Sequence, residues 1–117
     1  MNKEKTIKNM ARYFNEMYAL AINDATIPEE LGLEVEFSVI DYKLDENLET
    51  WIKALNYFDG LNARILKIAK ENPNSYEGCR ILNRKLVMLM DGMKNVMQKD
   101  MNVTGWMRNK GKIEVIL

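Results

Sequence analysis

The chain contains no histidine, one cysteine and two prolines among its 117 residues. Without histidine it cannot build a Ser-His-Asp or Cys-His nucleophile, a histidine-ligated metal site or an imidazole pH switch. The lone thiol of Cys79 excludes an intramolecular disulfide and a cysteine metal cluster. We therefore expect no catalytic residue, no metal site and no cofactor, and we expect that the protein is not an enzyme.

Long apolar runs are also missing. The longest run, LVMLM at residues 86–90, is flanked by Lys85 and Asp91 and is far shorter than the roughly 18 residues of a membrane span. Residues 1–12 lack the continuous apolar core of a signal peptide. These features predict a cytoplasmic protein that does not enter a membrane, located in the host cytoplasm if a phage encodes it.

What remains is an ordinary globular composition, with 47% apolar and 29% charged residues. A chain of this length buries roughly two thirds of its unfolded surface, which is enough for one core. We predict a single domain over residues 1–117.

Apolar residues recur at helical spacing in three places and predict helices over residues of about 3–23, 46–71 and 75–101. Asp45 is the predicted cap of the second helix, and Pro73 ends it, because proline disfavours helical geometry in the preceding residue. The short connection between the second and third helices predicts an antiparallel helical hairpin. The run at 86–90 is interpreted as a buried part of the third helix.

Two segments are typical of strands. Leu33, Val35, Phe37 and Val39 alternate with polar residues, which predicts a strand over about 33–42, and residues 112–117 predict a second strand. We expect the two strands to pair as a small antiparallel ribbon, or to pair with a second copy of the chain. The predicted fold class is α+β and predominantly α.

The formal charge sums to zero, but the charges are segregated along the chain. Residues 16–50 hold ten acids and one base, whereas residues 51–117 hold twelve bases and six acids. One interpretation is that each block is only solvated surface. The sharper hypothesis is an acidic face that imitates a phosphate track and binds a basic protein partner. Its predicted residues are Glu29, Glu30, Glu34, Glu36 and Asp41.

A basic segment near the end of the chain supports a different partner. Trp106, Arg108, Lys110 and Lys112 combine an aromatic ring with three cations, as a loop that binds phosphates and stacks bases would. The simpler interpretation is a polar hairpin turn at residues 109–111.

Methionines widen the apolar face of the third predicted helix. They are Met90, Met93, Met97, Met101 and Met107. They can form an adaptable core, or they can leave an exposed patch for self-association. With an unpaired strand also present, we expect a homo-oligomer, and specifically a dimer.

The sequence favours a small non-enzymatic protein that binds another macromolecule. The concrete hypothesis is a phage or mobile-element inhibitor of a host defence or nucleic-acid-handling protein, because the asparagine-, isoleucine- and methionine-rich composition suggests an AT-rich coding sequence. One alternative is a small DNA- or RNA-binding regulator that uses residues 106–112. Another is an oligomer that sequesters a small anionic ligand between subunits.

Overall fold

The computed structural model describes residues 3–24, 27, 29, 32–33 and 47–117, with side chains from residue 9 onward. In these ranges it contains helices α1 (Lys3–Asn23), α2 (Leu48–Glu71) and α3 (Tyr76–Asp100), and a short 3₁₀ turn at Pro73–Ser75. Strands β1 (Gly105–Asn109) and β2 (Lys112–Ile116) follow. The predicted fold class, with three main helices and a small ribbon, is confirmed.

The helix bounds agree with the apolar periodicity to within two residues at each end. The cap of α2 differs from the prediction: the Asn47 side chain accepts a hydrogen bond from the Glu49 N–H at 3.0 Å, and Asp45 lies outside the described residues. At the other end the Asn72 side chain donates to the Ile68 carbonyl at 3.3 Å. Asn72 directly precedes Pro73, so proline ends α2 where the sequence predicted.

The ribbon is a local hairpin. β1 pairs antiparallel with β2 in a register that places Arg108 opposite Ile113 and Asn109 opposite Lys112. The two loop residues, Lys110 and Gly111, have φ values of 55° and 81°, as a two-residue turn of the primed type requires. Residues 109–111 therefore form the hairpin turn that the sequence predicted.

The partner of the C-terminal strand is β1, a strand that the sequence did not predict. Within the part of the chain that the structure describes, β2 pairs with β1. A two-residue turn holds two adjacent strands together at little entropic cost, because it closes only a short loop. The predicted strand at 33–42 lies outside the described residues except for Leu33, which is buried.

Helix α3 packs against both other helices. It forms the predicted antiparallel hairpin with α2, and it also runs antiparallel to α1. A methyl group at Gly92 would lie 3.7 Å from the Met10 sulfur, an ordinary van der Waals distance, so the packing of α1 against α3 does not require a glycine here. Helix α3 continues through Gly92 without a break.

One apolar core joins these elements. It includes Phe14 and Tyr18 of α1, Trp51 and Phe58 of α2, and Leu86 of α3. The run at 86–90 is only partly buried, in contrast to its predicted burial: Leu86, Leu89 and Met90 face the core, and Val87 and Met88 are exposed. The helical period makes this unavoidable, because five consecutive residues cover more than one full turn.

Candidate functional site

The acidic face predicted from the sequence is described at one position. Glu29 is exposed, and its carbonyl accepts hydrogen bonds from the Tyr18 hydroxyl and the Gly32 N–H, both at 3.2 Å. Gly32 has a φ of 56°, which suits a glycine that ends a turn. Glu30, Glu34, Glu36 and Asp41 lie outside the described residues, so their common face stays a prediction.

The predicted basic segment folds as the hairpin instead of a loop. Trp106 and Arg108 lie in β1, Lys110 lies in the turn and Lys112 begins β2. The structure therefore brings all four residues into one element. Two of them, Arg108 and Trp106, already contact other side chains of the protein.

Arg108 forms a two-pronged ion pair with Asp59 of α2. The guanidinium donates to the two carboxylate oxygens at 2.7 and 2.9 Å. This hydrogen bonding holds the pKa of Asp59 below its usual value, against the opposing effect of partial burial. The pair attaches β1 to α2. It also neutralises the charge of Arg108, which makes this arginine a weaker contact for phosphate.

Trp106 is also held in place. Its ring is half-buried, and the Lys94 ammonium lies 5.4 Å from the ring centroid. The indole N–H is buried and has no hydrogen-bond acceptor in the structure as described. A ring packed in this way is not presented for stacking on a base, whereas Arg108, Lys110 and Lys112 are all exposed.

A groove opens between the last turns of α1 and the first turns of α3. It encloses about 260 Å³. Its lining residues are Met17, Leu20, Ala21 and Asp24 from α1, with Glu77, Gly78 and Ile81 from α3. The walls are mostly apolar, and the two carboxylates lie at one end.

Apolar side chains continue along the same side of the two helices. Leu20 and Ile81 are 55% and 38% exposed in the groove, and Tyr13 and Met88 are 55% and 49% exposed further along. On each helix the two residues are seven positions apart, which is about two turns. We call these four residues the α1–α3 face.

The charges beside the α1–α3 face are uneven. Asp24 and Glu77 line its groove end, whereas the Lys85 ammonium lies 5.7 Å from the Tyr13 ring centroid toward the other end. Helix α1 has no basic residue in its last turn, although α2 and α3 carry Lys70 and Lys99 there. The carbonyl end of α1 is partly negative, but the amide end of α3 beside it is partly positive, and Glu77 is paired with Arg80. Asp24 therefore supplies most of the negative charge at the groove end of the face.

The methionines of α3 mostly follow the adaptable-core interpretation, and the exposed apolar residues of this helix lie at other positions. Met90, Met93 and Met97 are buried, as the adaptable-core interpretation expects, and Met101 is half-buried. Met107 is exposed, but on the hairpin. The seven-residue spacing of Tyr13 with Leu20 and of Ile81 with Met88, beside each buried stripe, was the signal that could have found the face.

The predictions about a membrane, a metal site and the cysteine can be compared with the described residues. No helix in the described ranges is long and apolar enough to cross a membrane. Among the residues whose positions the structure gives, no three cysteine or acidic side chains come together as a metal ion would require. Cys79 is buried, and burial raises the pKa of its thiol, as is typical of a core cysteine.

Comparison of the chain with family models, with curated proteins and with solved structures finds no match. The function therefore has to be inferred from the α1–α3 face and its surroundings.

Proposed function

We propose that this protein acts without catalysis, by binding another protein through the α1–α3 face. In its most specific form the proposal is that a phage or mobile element uses it to inhibit a host protein that has a basic surface. The observation that carries the proposal is the gathering of exposed apolar side chains on one side of two packed helices.

The clustering distinguishes this face from ordinary surface. Ten large apolar side chains are exposed in the described part of the chain, and four of them form the α1–α3 face. Single exposed apolar residues are common on soluble proteins, whereas contiguous patches mark interaction sites. Exposing this patch to water is unfavourable, and a bound protein would bury it.

The groups available for chemistry support a binding role. Cys79 is a buried thiol with a raised pKa, so it is a poor nucleophile near neutral pH. Asp59 and Glu77 are each paired with an arginine, Arg108 and Arg80, and both pairings lower the pKa of the carboxyl group. A carboxylate with a lowered pKa is a weak general base.

The test is site-specific photo-cross-linking in a lysate of the native host. A photoreactive phenylalanine analogue replaces Leu20 in one variant and Leu66 in the other. Leu66 is the matched control, because it is 53% exposed, close to the 55% of Leu20, and lies on α2 away from the face. We expect a discrete protein adduct from position 20 that is absent from position 66.

Identical adducts from both positions, or none from position 20, would contradict the proposal. Nuclease treatment of the adducts separates a protein partner from DNA or RNA. An adduct that disappears on nuclease treatment would support the regulator alternative, which the ion pair of Arg108 and the packing of Trp106 make less favourable.

A further inference from the structure

We infer that the outer edge of β1 pairs antiparallel with the same edge of a second copy of the chain, which joins the two hairpins into one four-stranded sheet. The inference is independent of the α1–α3 face and goes beyond the proposed function. It follows from the direction of the main-chain groups of β1, from the difference between the two edges of the hairpin and from the symmetry of the paired residues.

The main-chain groups of Arg108 point away from β2. Arg108 lies opposite Ile113, and both main-chain groups of Ile113 bind the Asn56 side chain outside the ribbon. Opposite residues of an antiparallel pair exchange either both hydrogen bonds or neither, so the N–H and C=O of Arg108 also face outward. Because this pattern repeats at every second residue, the same groups of Trp106 face outward as well. No residue that the structure describes bonds to these four groups.

The two edges of the hairpin differ in their protection. At the edge of β2, Asn56 occupies the main-chain groups of Ile113. Strand β1 is five residues long and has no proline and no bulge. Its one charged side chain, Arg108, is paired with Asp59 of the same chain. The features that keep an edge strand from pairing between molecules, namely free charges, proline, bulges or a covering element, are therefore missing from the described surroundings of β1.

A second copy of the chain matches this edge because the edge is self-complementary. In an antiparallel pair with its two-fold axis at Met107, the outward groups of Trp106 exchange hydrogen bonds with those of Arg108 in the second copy, and the symmetric pair repeats this. Each Trp106 ring then lies beside a guanidinium, which is a favourable contact. The two Met107 side chains, each 50% exposed in the single chain, meet on the other face. All four outward groups of each copy thus gain a partner without rearrangement of β1.

The pairing of two five-residue strands predicts a weak dimer. Its contact is smaller than the roughly 1,000 Å² that stable complexes bury. In sedimentation equilibrium we therefore expect the full chain to be mainly monomeric at about 10 µM and largely dimeric at about 1 mM.

A charge at the two-fold axis should dissociate this dimer. Met107→Lys should weaken it at least about tenfold, because two like charges then lie directly opposite each other. Ile116→Lys is the matched control, since Ile116 is 45% exposed on the same face of the hairpin but lies on β2. It should change the dissociation constant by less than about twofold, because the two added charges are more than a Debye length apart.

Disulfide formation locates the axis independently. In a Cys79→Ala background, which removes the one native thiol, Met107→Cys places two cysteines opposite each other with a Cα separation of about 4.5 Å. A disulfide spans roughly 4.4–6.8 Å between Cα atoms, so oxidation should link the copies at least about tenfold faster than in Ile116→Cys. The Ile116 positions of the two copies lie on the outer strands, about 14 Å apart, which a disulfide does not bridge.

A chain that stays monomeric at about 1 mM would overturn the inference. So would a dimer that Met107→Lys leaves intact, or equal rates of linking at positions 107 and 116, because either result would place the contact elsewhere. Circular dichroism of each variant separates loss of pairing from loss of the fold, and both substituted residues are exposed. If Met107→Lys failed to fold, the two cysteine variants would still decide the question.

Discussion

Arg108 and Asp59 show how a charged residue that suggests a binding role from sequence can serve the fold. Their side chains come from positions 49 residues apart and meet in a two-pronged geometry. Arginine suits this role because its planar fork matches the two oxygens of a carboxylate. The charge that made Arg108 a candidate phosphate contact is used to fasten β1 to α2.

This pair makes stability depend on pH in a defined direction. The folded-state pKa of Asp59 lies below its unfolded value near 3.9. The stabilisation is therefore present above that value and is lost as the pH falls through the folded-state pKa. We expect Asp59→Asn to destabilise the protein by less than about 1 kcal/mol at pH 7, because the pair is partly exposed to solvent.

Urea unfolding of wild type and Asp59→Asn at a series of pH values measures this difference. The two proteins should converge as the pH is lowered from about 5 to about 2, since the wild-type carboxylate is protonated there. Asp91→Asn serves as the control, because Asp91 is an exposed acid on α3. A destabilisation of Asp59→Asn that persisted at the lowest pH would show that the loss is not electrostatic.

At the scale of elements, the Asn56 side chain attaches β2 to α2. The Asn56 side chain accepts from the Ile113 N–H at 2.8 Å and donates to the Ile113 carbonyl at 3.0 Å. It thus occupies both main-chain groups of one residue at the outer edge of β2, as a neighbouring strand would. An edge occupied in this way is less open to pairing with another chain, which bears on the expectation that this strand pairs between copies.

We expect Asn56→Ala to destabilise the protein by about 1–3 kcal/mol, because it leaves two part-buried main-chain groups without their partner. Urea unfolding measures the effect. Asn95→Ala, at an exposed position of α3, is the matched control and should be neutral. Equal stability of the Asn56 variant and the control would show that Asn56 does not hold the hairpin.

The difference between helices and strands explains what the sequence could predict. Helix bounds follow from local signals, namely the 3.6-residue period and the proline after Asn72, so α1, α2 and α3 were found. Strand β1 was missed because GWMRN has no clear alternation. Its conformation depends on the turn, on pairing with β2 and on the contact of Arg108 with Asp59, which is distant in sequence.

The candidate site was harder to predict for the same reason. Spacing alone shows that Leu20 lies beside the buried stripe of α1 and Ile81 beside that of α3. Whether such residues are covered depends on which other elements pack there, and this is a tertiary property. The acidic segment did indicate a basic partner, but the described acids that line the groove, Asp24 and Glu77, were not in the predicted set.

At the scale of the whole molecule, one continuous core spans the described helices and the hairpin. Trp51 of α2 is fully buried within it, and Trp106 of β1 packs against it. These two residues are the only tryptophans of the chain, so each reports on a different element. A shared core of this kind favours a single cooperative transition in a chain of this size.

We therefore expect the hairpin and the helices to unfold together, as the predicted single domain requires. Trp106→Phe leaves Trp51 as the fluorescent reporter, and Trp51→Phe leaves Trp106. Within each variant the urea midpoint from fluorescence should equal the midpoint from far-ultraviolet circular dichroism, although the Trp51 variant will be less stable because it loses core volume. If the Trp106 fluorescence changed at a lower urea concentration than the helical circular dichroism, the hairpin would be a separate, less stable unit. The side-chain contacts of Asn56 and Arg108 would then be too weak to couple its unfolding to that of the core.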